Sequence, residues 1–164
     1  MIAIAPEARS PCAARSAAAP GEGIASWSRS GSSPENGVYE AENARSEVIG
    51  GESSRPGFTG RGYLAGWNAA DQALTIHVNV GRARPHQLRF RYAAGAGDAG
   101  RRILVNGAQA TDLRFPATEG GWDQWGTAVL DGVRLARGHN TIRMELGGGN
   151  YLNLDAMTLR RQTT

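Results

Sequence analysis

From Val38 onward, apolar and polar residues alternate with a period of two, the signature of strands that bury one face. Leu74, Ile76, Val78 and Val80 face one way while Thr75, His77 and Asn79 face the other. Leu88, Phe90 and Tyr92 repeat the pattern. Ile103 and Val105 follow before Asn106-Gly107, a strong tight-turn signal. Further short strands are expected around Leu113 to Phe115, Ala128 to Leu130 and Val133 to Leu135. Near the C-terminus, Thr141, Arg143 and Glu145 alternate with Ile142, Met144 and Leu146. After the flexible run Gly147-Gly148-Gly149, a last strand carries Asn153 and Asp155 on one face. No segment offers an amphipathic helix. Short strands separated by Gly, Asn and Asp predict an all-β chain folded as an antiparallel β-sandwich of jelly-roll-like type.

The alternation is absent from residues 1–37, where Ala, Ser, Pro, Gly and Arg dominate. This stretch is expected to be a disordered linker, leaving 38–161 as a single domain. Met1 to Ala5 is briefly apolar, but Pro6 and Glu7 end it and no basic stretch precedes it, so it makes a poor signal peptide. Trp27 either docks on the domain or stands exposed in this tail. The sole cysteine, Cys12, excludes an internal disulfide. No run approaches the roughly 20 apolar residues that span a bilayer, so no membrane partner is expected. The net charge is +3, and all 18 basic residues are arginine. They are spread along the chain, as in Leu88-Arg89-Phe90-Arg91-Tyr92, whereas nucleic-acid binding needs a clustered basic face. A monomer without a nucleic-acid partner is expected.

The candidate chemistry is sparse. His77, His86 and His139 share no metal-ligand spacing, there is no G-x-S-x-G elbow, and Cys12 lies in the tail, so no catalytic residue is expected. In Val38-Tyr39-Glu40-Ala41-Glu42-Asn43-Ala44, read as a strand, Glu40 and Glu42 point the same way. They are either solvated surface acids or a pair held together by a cation or an arginine. The Gly-rich stretch from Gly50 to Gly60 reads as a loop that brings Tyr63, with or without Trp67, to the rim of the domain. Trp122 and Trp125 follow a Gly-Gly pair, so at least one large ring lies near exposed backbone. An exposed aromatic, a loop amide and a strand carboxylate suit a binding site better than a reaction centre.

Seven fragments, Y-E-A-E-N-A, G-R-G-Y-L-A-G, L-R-F-R-Y-A, V-N-G, T-E-G-G-W-D-Q-W, L-A-R-G-H-N-T-I-R-M and N-L-D-A-M-T-L, occur in this order over about Val38 to Arg160. Together they resemble carbohydrate-binding modules of the related families 6 and 35, and family 35 more closely. The resemblance implies a non-catalytic β-sandwich that tethers a secreted glycoside hydrolase, esterase or lyase to polysaccharide. It also implies a structural calcium held by Glu40, Glu42 and Asp155, and a sugar site in the loops at one end. In that site Tyr63 and Trp122 would form aromatic walls and Asn153 would hydrogen-bond sugar hydroxyls, with Trp125 as a packed partner. Such a site suits a pyranose, whose C–H faces lie on aromatic rings and whose hydroxyls need donors and acceptors. Galactose- or mannose-containing polymers are candidate ligands. Some family 35 relatives bind uronic acids with a second calcium; here Arg55, Arg61 and Arg101, near the expected loops, offer a direct partner for a sugar carboxylate. Tyr63 as core and Asn153 as an edge amide are the structural alternatives. A protein-interaction or adhesion sandwich and a small polysaccharide-active enzyme are the alternative functions.

Overall fold

A computed structural model describes residues 36–163 of the protein. The expected linker lies outside the described residues up to residue 35, as do Cys12 and Trp27. The strands are β1 (Gly37–Glu40), β2 (Arg45–Glu47), β3 (Gly50–Glu52), β4 (Tyr63–Trp67), β5 (Ala73–Val80), β6 (Arg84–Ala93), β7 (Ala99–Val105), β8 (Ala108–Phe115), β9 (Gly126–Leu135), β10 (Gly138–Gly149) and β11 (Leu152–Arg161). The helical elements among the described residues are two single turns of 3-10 helix, Ala41–Asn43 and Gly121–Asp123.

The strands pair antiparallel in two sheets. One runs β3-β4-β11-β6-β9, with β1 beside β11; the other runs β2-β5-β10-β7-β8. The longer strands turn their apolar residues inward, and the two inner faces meet in one core. Leu74, Ile76 and Val78 of β5 and Ile142 and Met144 of β10 pack there against Leu88 and Phe90 of β6 and Leu154 and Met157 of β11. Phe115 meets Tyr92 and Phe90 edge-on, at ring separations of 5.0 and 6.0 Å. The expected all-β antiparallel sandwich is the observed fold.

Three local expectations change. Ala128–Leu130 and Val133–Leu135 belong to one strand, β9, because the register against β6 slips between His86 and Leu88 and the strand continues through the irregularity. Val38 to Ala44 is not one strand: β1 stops at Glu40 and a 3-10 turn succeeds it. Trp67 is not at the rim; it is fully buried in the core, its Nε1–H donating to the Gln72 carbonyl oxygen at 3.1 Å.

One edge of β11 is shared end to end by two short strands, and the seam between them gathers acidic side chains. β4 pairs with Leu152 and Leu154, and β1 pairs with Ala156 to Leu159. At the point between them, β11 slips register against β6 from Leu154 to Ala156. Asp155 sits at that irregularity, where β1 has just ended at Glu40 and β4 begins at Tyr63.

Candidate functional site

The loop between β3 and β4 folds back across the outer face of the first sheet, over the seam. Thr59 anchors it, donating from its backbone N–H to Asp155 Oδ1 at 2.9 Å and from its hydroxyl to Asp155 Oδ2 and Glu40 Oε2 at 3.1 and 2.8 Å. Arg91, from the neighbouring β6, pairs with Asp155 and donates to the Gly57 carbonyl oxygen at 2.7 Å. Trp125 closes the cover: its Nε1–H donates to the Pro56 carbonyl oxygen at 2.9 Å, and the Arg91 guanidinium lies 5.3 Å from its ring centre.

Tyr63 lies beneath this cover. Its ring is fully buried, edge-on to Trp125 at 5.2 Å and 5.8 Å from Phe58, and its hydroxyl accepts from the Arg55 N–H at 3.2 Å and donates to Glu52 at 3.3 Å. The expectation of Tyr63 as an aromatic wall of the rim is therefore corrected. It faces outward from its strand, as alternation requires, but the loop it was expected to present covers it instead. Trp125 packs against Tyr63 and Arg91 but stays half-buried, as Trp122 does.

The three acids expected to share calcium are brought together at the seam, though not by a single strand. Glu40 ends β1, the 3-10 turn carries Glu42 back toward the loop, and Asp155 comes from β11. Glu42 Oε1 accepts from the Arg61 N–H at 2.8 Å, while its Oε2 is buried without a hydrogen-bond partner. Burial raises the pKa of Glu40 above its ordinary value, and the charges of Glu42 and Asp155 add to the effect against the hydrogen bond from Thr59. Among the described residues, no three His, Cys, Asp or Glu side chains close around one point as they stand. Here Thr59 and Arg91 supply the donors between the carboxylates.

Beyond the cover, at the end of the sheet, lies a more open region. The half-buried Trp122 sits in the second 3-10 turn with its ring laid over Gly95, where a Cβ would come within 2.6 Å of the ring carbons. Only glycine allows that approach. Asn153 pairs in register with Ala93, two residues before Gly95, so it and Trp122 flank the same end of β6. Asn153 is largely buried, at 6% exposure. Across the turn of residues 94–98 stands Tyr151, 46% exposed, next to Asn150, whose backbone and side-chain N–H groups both donate to the Asp98 carbonyl oxygen. Sequence reasoning passed over Tyr151; its signal was an aromatic residue directly after the glycine-rich turn, outside the alternating pattern.

Of the three arginines expected to meet a sugar carboxylate, Arg101 is buried. Its guanidinium stacks 4.9 Å from the Trp67 ring and donates to the carbonyl oxygens of Trp67, Gly100, Gly148 and Asn150, and burial lowers its pKa to about 10. Arg61 donates to the Asn43 side chain at 3.0 Å, and Arg55 pairs with Asp123 at 3.2 Å. Two surface concavities, about 480 Å³ over Asn36–Val38 and Thr158–Arg161 and about 360 Å³ between the β7–β8 turn and β9, lie elsewhere and contain no aromatic ring.

Among the described residues, no comparable loop lies over the outer face of the second sheet. His77 on β5 and His139 on β10, which share no spacing in sequence, meet there with Nδ1 and Nε2 2.8 Å apart. Partial burial and the nearby charges of His139 and Arg45 lower the pKa of His77. Arg143 beside them forms a paired contact to Glu47, both oxygens at 3.0 Å, and reaches Glu145 at 2.8 Å.

The family model described as carbohydrate binding module (family 35) matches residues 37–162. An isomaltosyltransferase from Sporosarcina globispora is 34% identical over 124 residues, which are 73% of this chain and 11% of that protein. A mannan endo-1,4-beta-mannosidase from Thermothelomyces thermophilus is 33% identical over 122 residues, 74% of this chain and 24% of that protein. The chain thus spans about a tenth to a quarter of the length of these relatives. Among solved structures, a family 35 carbohydrate binding module from Clostridium thermocellum superposes with a TM-score of 0.70 at 29% identity, covering 74% of this chain and 95% of that one. No helix among the described residues is long and apolar enough to cross a membrane.

Proposed function

The chain belongs to carbohydrate binding module family 35, a non-catalytic carbohydrate-binding domain, and from that premise we propose that it holds an attached glycoside-active enzyme on a neutral polysaccharide outside the cell. The observation that carries the reading is the half-exposed Trp122 ring laid over Gly95, with the largely buried Asn153 at the same end of β6 and the exposed Tyr151 across the 94–98 turn. A pyranose offers apolar C–H faces to such rings and hydroxyls to the amide. Tyr151 takes the place of the second aromatic that Tyr63, being covered, cannot supply. The arginines near the loops are buried or already partnered, which favours an uncharged sugar over a uronate. The relatives are, by name, an isomaltosyltransferase and a mannan endo-1,4-beta-mannosidase, so an α-glucan or a β-mannan is the proposed ligand class.

Calcium is part of the proposal. Glu40, Glu42 and Asp155 would hold it, and the structure offers a reason: a buried carboxylate oxygen of Glu42 without a partner, and a Glu40 whose charged form is disfavoured by burial and by the other two acids. Hard oxygen donors are what calcium prefers, and bound there it would offset two of the three negative charges and fasten the loop to the seam.

Affinity electrophoresis in gels containing dextran, galactomannan or pectin tests the reading. The parent chain should be retarded by dextran or galactomannan and not by pectin, with a micromolar to millimolar affinity, because few contacts offset the lost ligand freedom. Trp122→Ala should abolish retardation while leaving the melting temperature nearly unchanged. Equal retardation of that variant would place binding elsewhere on the module.

A further inference from the structure

We infer that the outer face of the second sheet carries a surface site for a tetragonal divalent transition metal, copper(II) foremost, with His77 Nδ1 and His139 Nε2 as its two protein ligands. The two residues stand on β5 and β10, neighbouring inner strands of that sheet. His77 pairs in register with Thr141 and His139 with Asn79, which makes the histidines diagonal neighbours on one face. Their ring centres are 5.0 Å apart and their facing nitrogens 2.8 Å apart, one donating to the other. Two imidazoles bound at right angles to one metal, with bonds of about 2.0–2.1 Å, place their nitrogens about 2.9 Å apart. The tetrahedral angle preferred by zinc requires about 3.3 Å at the same bond length. The existing separation therefore matches cis ligands of a square plane with almost no movement of the backbone. A turn of the exposed His139 ring and the half-exposed His77 ring brings both lone pairs onto the metal, and the proton they share is released.

The choice of ion comes from ligand and geometry together. Imidazole nitrogen suits copper, nickel and zinc and does not suit calcium; a tetragonal arrangement selects copper and nickel; and the general order of affinities puts copper first. Strands in mid-sheet hold two ligands in place better than loops do. Water fills the remaining positions, since Glu47 and Glu145 on the same face are engaged by Arg143. Arg45, on β2 beside Thr75, brings a positive charge close to His77 and limits the affinity. The site lies on the sheet opposite the loop-covered face, so it is separate from the three carboxylates and from Trp122.

The test titrates copper(II) into the EDTA-treated full chain, monitored by the visible ligand-field band and by electron paramagnetic resonance. A Cys12→Ser background removes the thiol that would reduce the ion. One copper per chain with coupling to two nitrogens is expected, and His77→Asn and His139→Ala should each weaken binding roughly tenfold or more, as loss of one of two imidazoles implies. Nickel(II) should bind more weakly at the same residues, and calcium should not compete. Melting temperatures of both variants are read alongside, so that loss of copper is separated from loss of fold. If either variant binds copper as tightly as the parent, or if His86→Ala alone removes the signal, the pair is not the site. Retardation by polysaccharide is read separately and should be the same with and without copper.

Discussion

The two outer faces of the sandwich use the same residue types to opposite ends. On the first sheet, Glu40 is covered by the loop that Thr59 fastens, lies near Glu42 and Asp155, and has its pKa raised by burial. On the second, Glu47 faces solvent, takes a paired hydrogen bond from Arg143, and has its pKa lowered. Both glutamates end or line short edge strands near residue 45, so sequence neighbourhood does not separate them. What differs is whether chain from elsewhere lies on top. A covered carboxylate among other carboxylates asks for a cation; an open one beside arginine already has it.

Breaking the covered side should be the most damaging change. Asp155→Asn in metal-free protein removes the charge that Arg91 and Thr59 engage and is expected to cost about 1.5–3 kcal/mol, as loss of a charge-assisted hydrogen-bond acceptor does. Asp112→Asn breaks the exposed pair with Arg102 on the other sheet and should cost no more than about 1 kcal/mol. Urea unfolding of both variants measures the contrast; equal losses would mean the cover does not strengthen the pair.

Calcium should sharpen the contrast from the other direction. At a calcium concentration about 100 times its dissociation constant, the EDTA-treated chain should gain about 2.7 kcal/mol by mass action, seen as a higher melting temperature. Glu42→Gln should erase the gain. An unchanged melt of the parent chain in millimolar calcium removes the metal from the proposal.

The smallest effect is on pH. A raised pKa means that folded Glu40 binds its proton more tightly than the unfolded chain, so its contribution to stability declines as pH rises from the ordinary value of 4.5 through the folded one. Glu47 and Asp98, with lowered pKa values, work the other way: the stability they supply above the ordinary range is lost as pH falls through the folded values. Thermal melts of metal-free parent and Glu40→Gln across this range isolate the first effect as a difference. The variant should gain relative to the parent toward neutral pH, and parallel profiles would show that Glu40 is not held in a strained charge state.

Alternation along the chain was enough to determine the buried face of the long strands. Leu74, Ile76, Val78, Leu88, Phe90 and Met144 are buried as their period requires, and Asn106-Gly107 turns where its type demands. Sidedness is a local property, set by the two-residue repeat of an extended backbone. The acids of the seam were legible too, as residue types in a familiar order. What alternation cannot say is whether an outward face stays outward. Thr59 reaches Asp155 across 96 residues of sequence, and with that contact the loop buries Tyr63, so a ring read as a rim becomes part of a second, polar core. The same non-local pairing brings His77 to His139 across 62 residues and turns Arg101 inward onto backbone carbonyls. It leaves Tyr151 standing exposed where the sequence marked only a turn. The sequence by itself determined the faces of the strands. Only the tertiary structure decided which of those faces solvent can reach, because cover is contributed by chain that is distant in sequence and adjacent only after folding.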